Sequence, residues 1–192
     1  TTGTQNTAIG TQAMAVNTTG ANNVALGFLA MLNGTTASDN IAVGVNALYT
    51  NTTGTSNTAL GRSALRYNTT ASQNTAVGYN SLLANATGTG NTASGFESLR
   101  SNTTGNVNTA IGYQALLSNT TGWGNLALGN STLDANTTGI KNIAVGGASL
   151  SANTTGNQNV AVGYNSLLAN TTGAENTAVG DRALQTNTTG TR

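Results

Sequence analysis

Five carboxylates, Asp39, Glu97, Asp134, Glu175 and Asp181, are the most direct source of acid–base chemistry in this 192-residue chain, because it contains no histidine and no cysteine. Two carboxyl groups held close together can divide the roles of general acid and general base, and a tighter cluster can gather a calcium ion. The missing residue types exclude an imidazole-based serine or cysteine triad, a thiolate nucleophile, a disulfide framework and zinc sites of the usual kinds. Whether the five carboxylates ever meet depends on the elements that place them.

Those elements come from a single repeated motif. Asn-Thr-Thr-Gly begins at Asn17, Asn51, Asn102, Asn119, Asn136, Asn153, Asn170 and Asn187, and the gaps are all multiples of 17. Asn68 and Asn85 open variant strings at two of the missing steps. Residues 1–192 therefore form one repetitive domain, with rows starting near 1, 17, 34, 51, 68, 85, 102, 119, 136, 153 and 170 and a partial row at 187–192. No row gains or loses a residue, as expected when each unit stacks directly on the next. One column is always Asn, from Asn6 to Asn176; two residues on it is always Ala, from Ala8 to Ala178; two further on it is always Gly, from Gly10 to Gly180. A leucine column runs from Met14 and Met31 through Leu48 to Leu184.

The short row, its glycines and its β-branched residues disfavour helix. Thr7-Ala8-Ile9 and its equivalents, such as Ile41-Ala42-Val43, alternate branched and small side chains with the period of a strand. A second short strand is predicted around Ala13 and Met14. Gly10, Gly27, Gly44, Gly61, Gly78, Gly112 and Gly163 are assigned to a sharp turn with positive φ, and Asn-Thr-Thr-Gly to the opposite corner. The reading is an all-β fold, a parallel β-solenoid or β-roll of eleven 17-residue coils.

Such a row has too few large apolar side chains to offset the ordering of its backbone, so coil-to-coil ladders and stacked Asn and Thr must contribute. If the Ala8 column points inward, the Thr7 and Ile9 columns point outward and form an apolar stripe along the rod. A stripe that long calls for a partner, and three rods about a common axis would bury it. The rival packing turns Ile9 and Met14 inward and gives a self-sufficient monomer.

This frame separates the carboxylates. Asp39 and Glu175 share a column eight rows apart, about 38 Å at strand spacing, whereas Glu97 and Asp134 are two rows apart, at least roughly 10 Å. Glu175 and Asp181 flank one strand. The expectation is no enzyme, no catalytic residue, no metal site and no cofactor. A net charge of +1 disfavours nucleic acid, and no apolar run approaches the ~20 residues of a membrane-spanning helix.

Three other features suit binding or modification. Tyr79, Phe96 and Tyr113 share a column and could stack on sugar rings, although a structural ladder is the simpler explanation. Asn17, Asn51, Asn68, Asn102, Asn119, Asn136, Asn153 and Asn170 each satisfy the N-glycosylation pattern, which Asn/Thr repeats also produce by composition alone. The threonine column from Thr2 and Thr19 to Thr189 is unbroken and has the regularity of an ice-binding surface, without the Thr-x-Thr pair expected on one strand. Trp123 reads as a surface or packing residue, and Arg66, Arg100 and Asp134 as solvated decoration of one column.

The strings Asn159-Val-Ala-Val-Gly163, Asn40-Ile-Ala-Val-Gly44 and Asn23-Val-Ala-Leu-Gly27, each followed by Ala or Ser three residues on, resemble the head repeats of YadA-like trimeric autotransporter adhesins and related phage and viral fibre repeats. The resemblance covers all eleven rows. It implies left-handed winding, a homotrimer, a place outside the cell or on a virion surface, and attachment to host or matrix glycan or protein. The turn is longer than in that family, Thr often replaces Val before the alanine, and no neck, stalk or anchor is present in these residues. The chain opens and closes partway through a row without a polar cap, which predicts a segment of a longer fibre or one that continues end to end into further copies. The expected function is a rigid extracellular fibre or adhesin segment; the alternative is a monomeric ligand-binding or ice-binding solenoid.

Overall fold

The computed structural model describes residues 2–191. It contains eleven three-residue strands, β1 (Thr7–Ile9), β2 (Val24–Leu26) and so on in steps of 17 to β11 (Thr177–Val179). They form one parallel sheet in sequence order. Register is kept throughout: Ala8 pairs with Ala25 at one end and Ala161 with Ala178 at the other. With neighbouring strands ~4.8 Å apart, ten steps give a rod about 48 Å long.

Each coil has one strand, and the second strand expected near Met14 is replaced by turns. Gln12 and Met14 have φ of 58° and 51°, and Asn46 and Leu48 have 58° and 49°. The two left-handed residues of a turn stand two apart, and their backbone N–H groups point in opposite directions along the rod. Asn46 donates to Phe28 in the preceding coil at 3.0 Å, and Leu48 donates to Ala64 in the following coil at 3.0 Å. A β-branched or large residue resists this conformation at a cost of about 1–2 kcal/mol. Burial of Leu48 and its equivalents offsets that cost.

Both the alanine and the leucine columns are internal, so the core combines parts of the two packings considered from sequence. Ala25, Ala42 and Ala59 are fully buried, as are Leu48, Leu65 and Leu82. Alanine is required because the coil is thin: Ser81 Oγ, on the turn side, donates at 3.1 Å to the carbonyl of Ala93 in the next coil's strand. The Ile9 column faces out. Leu26, Ile111 and Leu128 keep 42%, 40% and 41% exposure, which leaves an open apolar stripe along the sheet face.

At the end of each strand the chain reverses at glycine. Gly27 has φ of 133°, and a Cβ on it would stand 2.8 Å from the carbonyl carbon and oxygen of Gly44 in the next coil. Both the conformation and the close backbone approach require the missing side chain. Gly10, Gly44, Gly61, Gly78, Gly112 and Gly163 also have φ between 120° and 139°.

Candidate functional site

Two files of asparagine run inside the rod and join its coils. In the first, Asn40 donates from both its backbone N and its Nδ2 to Asn23 Oδ1, at 3.0 and 3.2 Å. Its Nδ2 also donates to Gly54 O in the following coil at 3.0 Å. One side chain thus ties together three successive coils. The same set recurs at Asn57, Asn74, Asn91 and onward. Stacked amides of this kind strengthen in-register β assemblies, and they leave the buried polar atoms paired.

The second file contains the glycosylation candidates. Asn68 Nδ2 donates to Asn51 Oδ1 at 2.8 Å and to Ala71 O at 2.9 Å, and Asn102, Asn119, Asn136, Asn153 and Asn170 repeat the pattern. Asn51 and its successors to Asn170 are fully buried, while Asn17 and Asn187 in the outer coils are half-buried. A glycan attaches at Nδ2, and in the folded rod that atom faces inward and is already committed to hydrogen bonds. The sequence pattern is present, but from Asn51 to Asn170 the nitrogen is not accessible. The adjoining threonines divide their roles: Thr52 Oγ1 donates to Thr69 O at 3.1 Å, whereas Thr19, Thr53 and Thr104 of the third column are exposed along the edge.

Tyr79, Phe96 and Tyr113 are brought together on the outside. Successive ring centroids are 5.3 Å apart with interplanar angles of 13° and 7°. Both faces of Phe96 are therefore covered by its neighbours, and Tyr79 and Tyr113 each have one face covered by it. A sugar needs an open ring face, which Phe96 does not offer, so its part in the ladder is structural. Trp123 is exposed at another edge, with Lys141 Nζ 4.9 Å from its ring centroid.

The carboxylates stay apart. Asp39 accepts from Asn22 Nδ2 at 3.0 Å, and Glu97 accepts from Gln114 Nε2 at 3.1 Å while lying 3.7 Å from Arg100 Nε. Burial raises the Asp134 carboxyl above its ordinary value, opposed by its own backbone N–H and that of Ala135. Among the described residues, no three acidic side chains gather where a metal could be held.

Arg66 departs from its assignment as solvated decoration. Its guanidinium carbon lies 5.7 Å from the ring centroid of Tyr49, one coil earlier, and 5.2 Å from that of Tyr67, the next residue. Its Nε is buried and has no acceptor. The columns already brought these residues together in the sequence: Tyr49 precedes Arg66 by one period and Tyr67 follows it directly.

Comparison with protein families, curated proteins and solved structures finds no match. Among the described residues no helix is long and apolar enough to cross a membrane.

Proposed function

We propose that this chain is a non-enzymatic structural segment, a rigid rod in an extracellular fibre or adhesin that associates with copies of itself. The observation that carries the reading is the outward sheet face. Within it the file of Ile9, Leu26, Val43 and their equivalents is apolar in every coil but that of Ser94, and Leu26, Ile111 and Leu128 remain 42%, 40% and 41% exposed. An apolar file that runs most of the length of a rod is costly to leave in water and characteristic of an interface. Three rods about one axis would cover it with equivalent contacts, in line with the resemblance to trimeric adhesin and fibre repeats, which also implies left-handed winding and a cell- or virion-surface location. End-to-end continuation and contact with surface glycan or protein belong to the same reading.

Light scattering and sedimentation test it. The expected mass is three times the 19.1 kDa of one chain. Replacing Ile111 with Lys, in the middle of the stripe, should shift the assembly toward monomer while leaving the β-rich circular dichroism spectrum intact. A wild-type chain that stays monomeric at all concentrations contradicts the proposal.

The exposed, unbroken threonine file favours a second reading, a monomeric solenoid that binds ice or a repetitive ligand through that edge. Ice crystals that recrystallise as in buffer alone would eliminate its ice-binding form.

A further inference from the structure

We infer that Tyr49, Arg66 and Tyr67 form a docking point for a carboxylate-bearing sugar on the side of the rod. The guanidinium is held by two aromatic faces at 5.7 and 5.2 Å. Among the described residues no carboxylate pairs with it; the ion pair present is Arg100–Glu97. Its Nε is shut away from water without an acceptor. The two terminal nitrogens are not among the buried unpaired atoms, so they carry the hydrogen-bonding capacity left for a ligand, and a guanidinium's paired donors match a carboxylate. Contact with two rings also removes part of the guanidinium's hydration and restrains it before any ligand arrives.

The aromatic neighbours narrow the ligand from any anion to an acidic sugar. Tyr67 is 46% exposed although the guanidinium lies over one part of its ring, so the remaining ring surface and a cation are offered together. A pyranose carrying a carboxylate presents C–H groups and a negative charge at matching separation. This side of the coil lies beyond the turn from the apolar sheet stripe. The inference therefore concerns a different surface from the proposed self-association.

The test uses the full chain and a glucuronate-containing tetrasaccharide, titrated by calorimetry, with its uncharged methyl ester, sodium acetate and sodium sulfate as separate arms. The assembly mass is read by light scattering in the same samples, so that loss of self-association and loss of sugar binding are scored separately. Wild type should bind the acidic tetrasaccharide at least about tenfold more tightly than its ester, and acetate and sulfate should compete poorly. Arg66→Ala should lose about tenfold or more, Arg66→Lys should lose most of that while keeping the fold, and Tyr67→Ala should weaken binding by several-fold. Arg182→Ala, a distant cation, should bind as wild type. Three results each overturn the inference: no binding by wild type, equal binding by Arg66→Lys, or competition by acetate and sulfate equal to that of the sugar.

Discussion

The two asparagine files have the same chemistry, yet one runs without interruption from Asn6 to Asn176 and the other is broken at Gly34. The hydrogen bonds explain the difference. In the unbroken file each Oδ1 accepts the next coil's backbone N–H, as when Asn108 N donates to Asn91 Oδ1 at 2.9 Å. Losing one side chain would leave a buried main-chain donor without a partner. In the other file the backbone N–H is satisfied within its own turn, Asn51 N donating to Leu48 O at 3.2 Å, and Gly34 N makes the equivalent bond to Met31 O at 3.2 Å. There the side chains pair only with one another and with a corner carbonyl, so an omission is local.

The omission leaves a trace on both sides. Asn17 Oδ1 is buried without a partner, where an Asn at position 34 would donate to it. Asn51 Nδ2 keeps only its bond to Gly54 O, at 2.9 Å. The vacated volume is taken by Met31: a Cβ on Gly34 would lie 2.9 Å from both Cγ and Cε of that side chain. Methionine is longer and more adaptable than the leucine of most other rows, so it fills the space without moving the backbone.

The largest expected effect comes from truncating the unbroken file. Asn91→Ala should cost roughly 3–5 kcal/mol in chemical denaturation, because it orphans the buried Asn108 N–H and removes the side-chain bonds that tie Asn91 to Asn74, Asn108 and Gly105. Asn119→Ala, in the other file, should cost only about 1–3 kcal/mol, since no backbone donor depends on it. Equal costs would refute the distinction between the files.

A smaller effect is expected from repairing the break. Gly34→Asn alone crowds Met31, and Met31→Leu alone leaves a void, so each should be neutral or destabilising. Together they restore the pattern of the regular coils, and a double-mutant cycle should give a favourable coupling of about 1–2 kcal/mol. Additive behaviour would mean that Met31 does not compensate for Gly34.

The smallest effect belongs to a side chain outside both files. Asp134 has a carboxyl raised by burial, so folding favours its protonated form. The unfolded chain ionises first as pH rises through 3.8, and stability falls from there until the folded group has also ionised. Asp134→Asn should therefore be slightly more stable than wild type at pH 7, with the gap closing below the ordinary carboxylate value. A gap that widens in acid would contradict the direction of the shift.

Much of this frame was legible from column identities. An invariant Ala two residues before an invariant Gly specified a small inward side chain and a tight reversal, and the structure has both at Ala25 and Gly27. The turn side was harder to read. Leucine is a poor turn residue by local preference, so Leu48 and its equivalents suggested a strand, whereas coil-to-coil bonding holds them in the left-handed region. The Asn-Thr-Thr string was ambiguous for a different reason: acceptor pattern and internal ladder use the same letters, and only the direction of the amide separates them. Met31 and Gly34 occur in the same row, but Met14 sits in a row whose corner is the ordinary Asn17, so their complementarity was not evident from residue types alone.

Intrachain distances test the stacking most directly. Nitroxide labels on cysteines introduced at exposed Thr36 and at Thr121 or Thr172, diluted with unlabelled chain, report spans of five and eight coils by double electron–electron resonance. Stacked coils predict separations of about 24 and 38 Å, rising by one ~4.8 Å strand spacing per 17 residues. Distances that are broad, or that do not grow in proportion to the number of coils, would contradict the in-register rod.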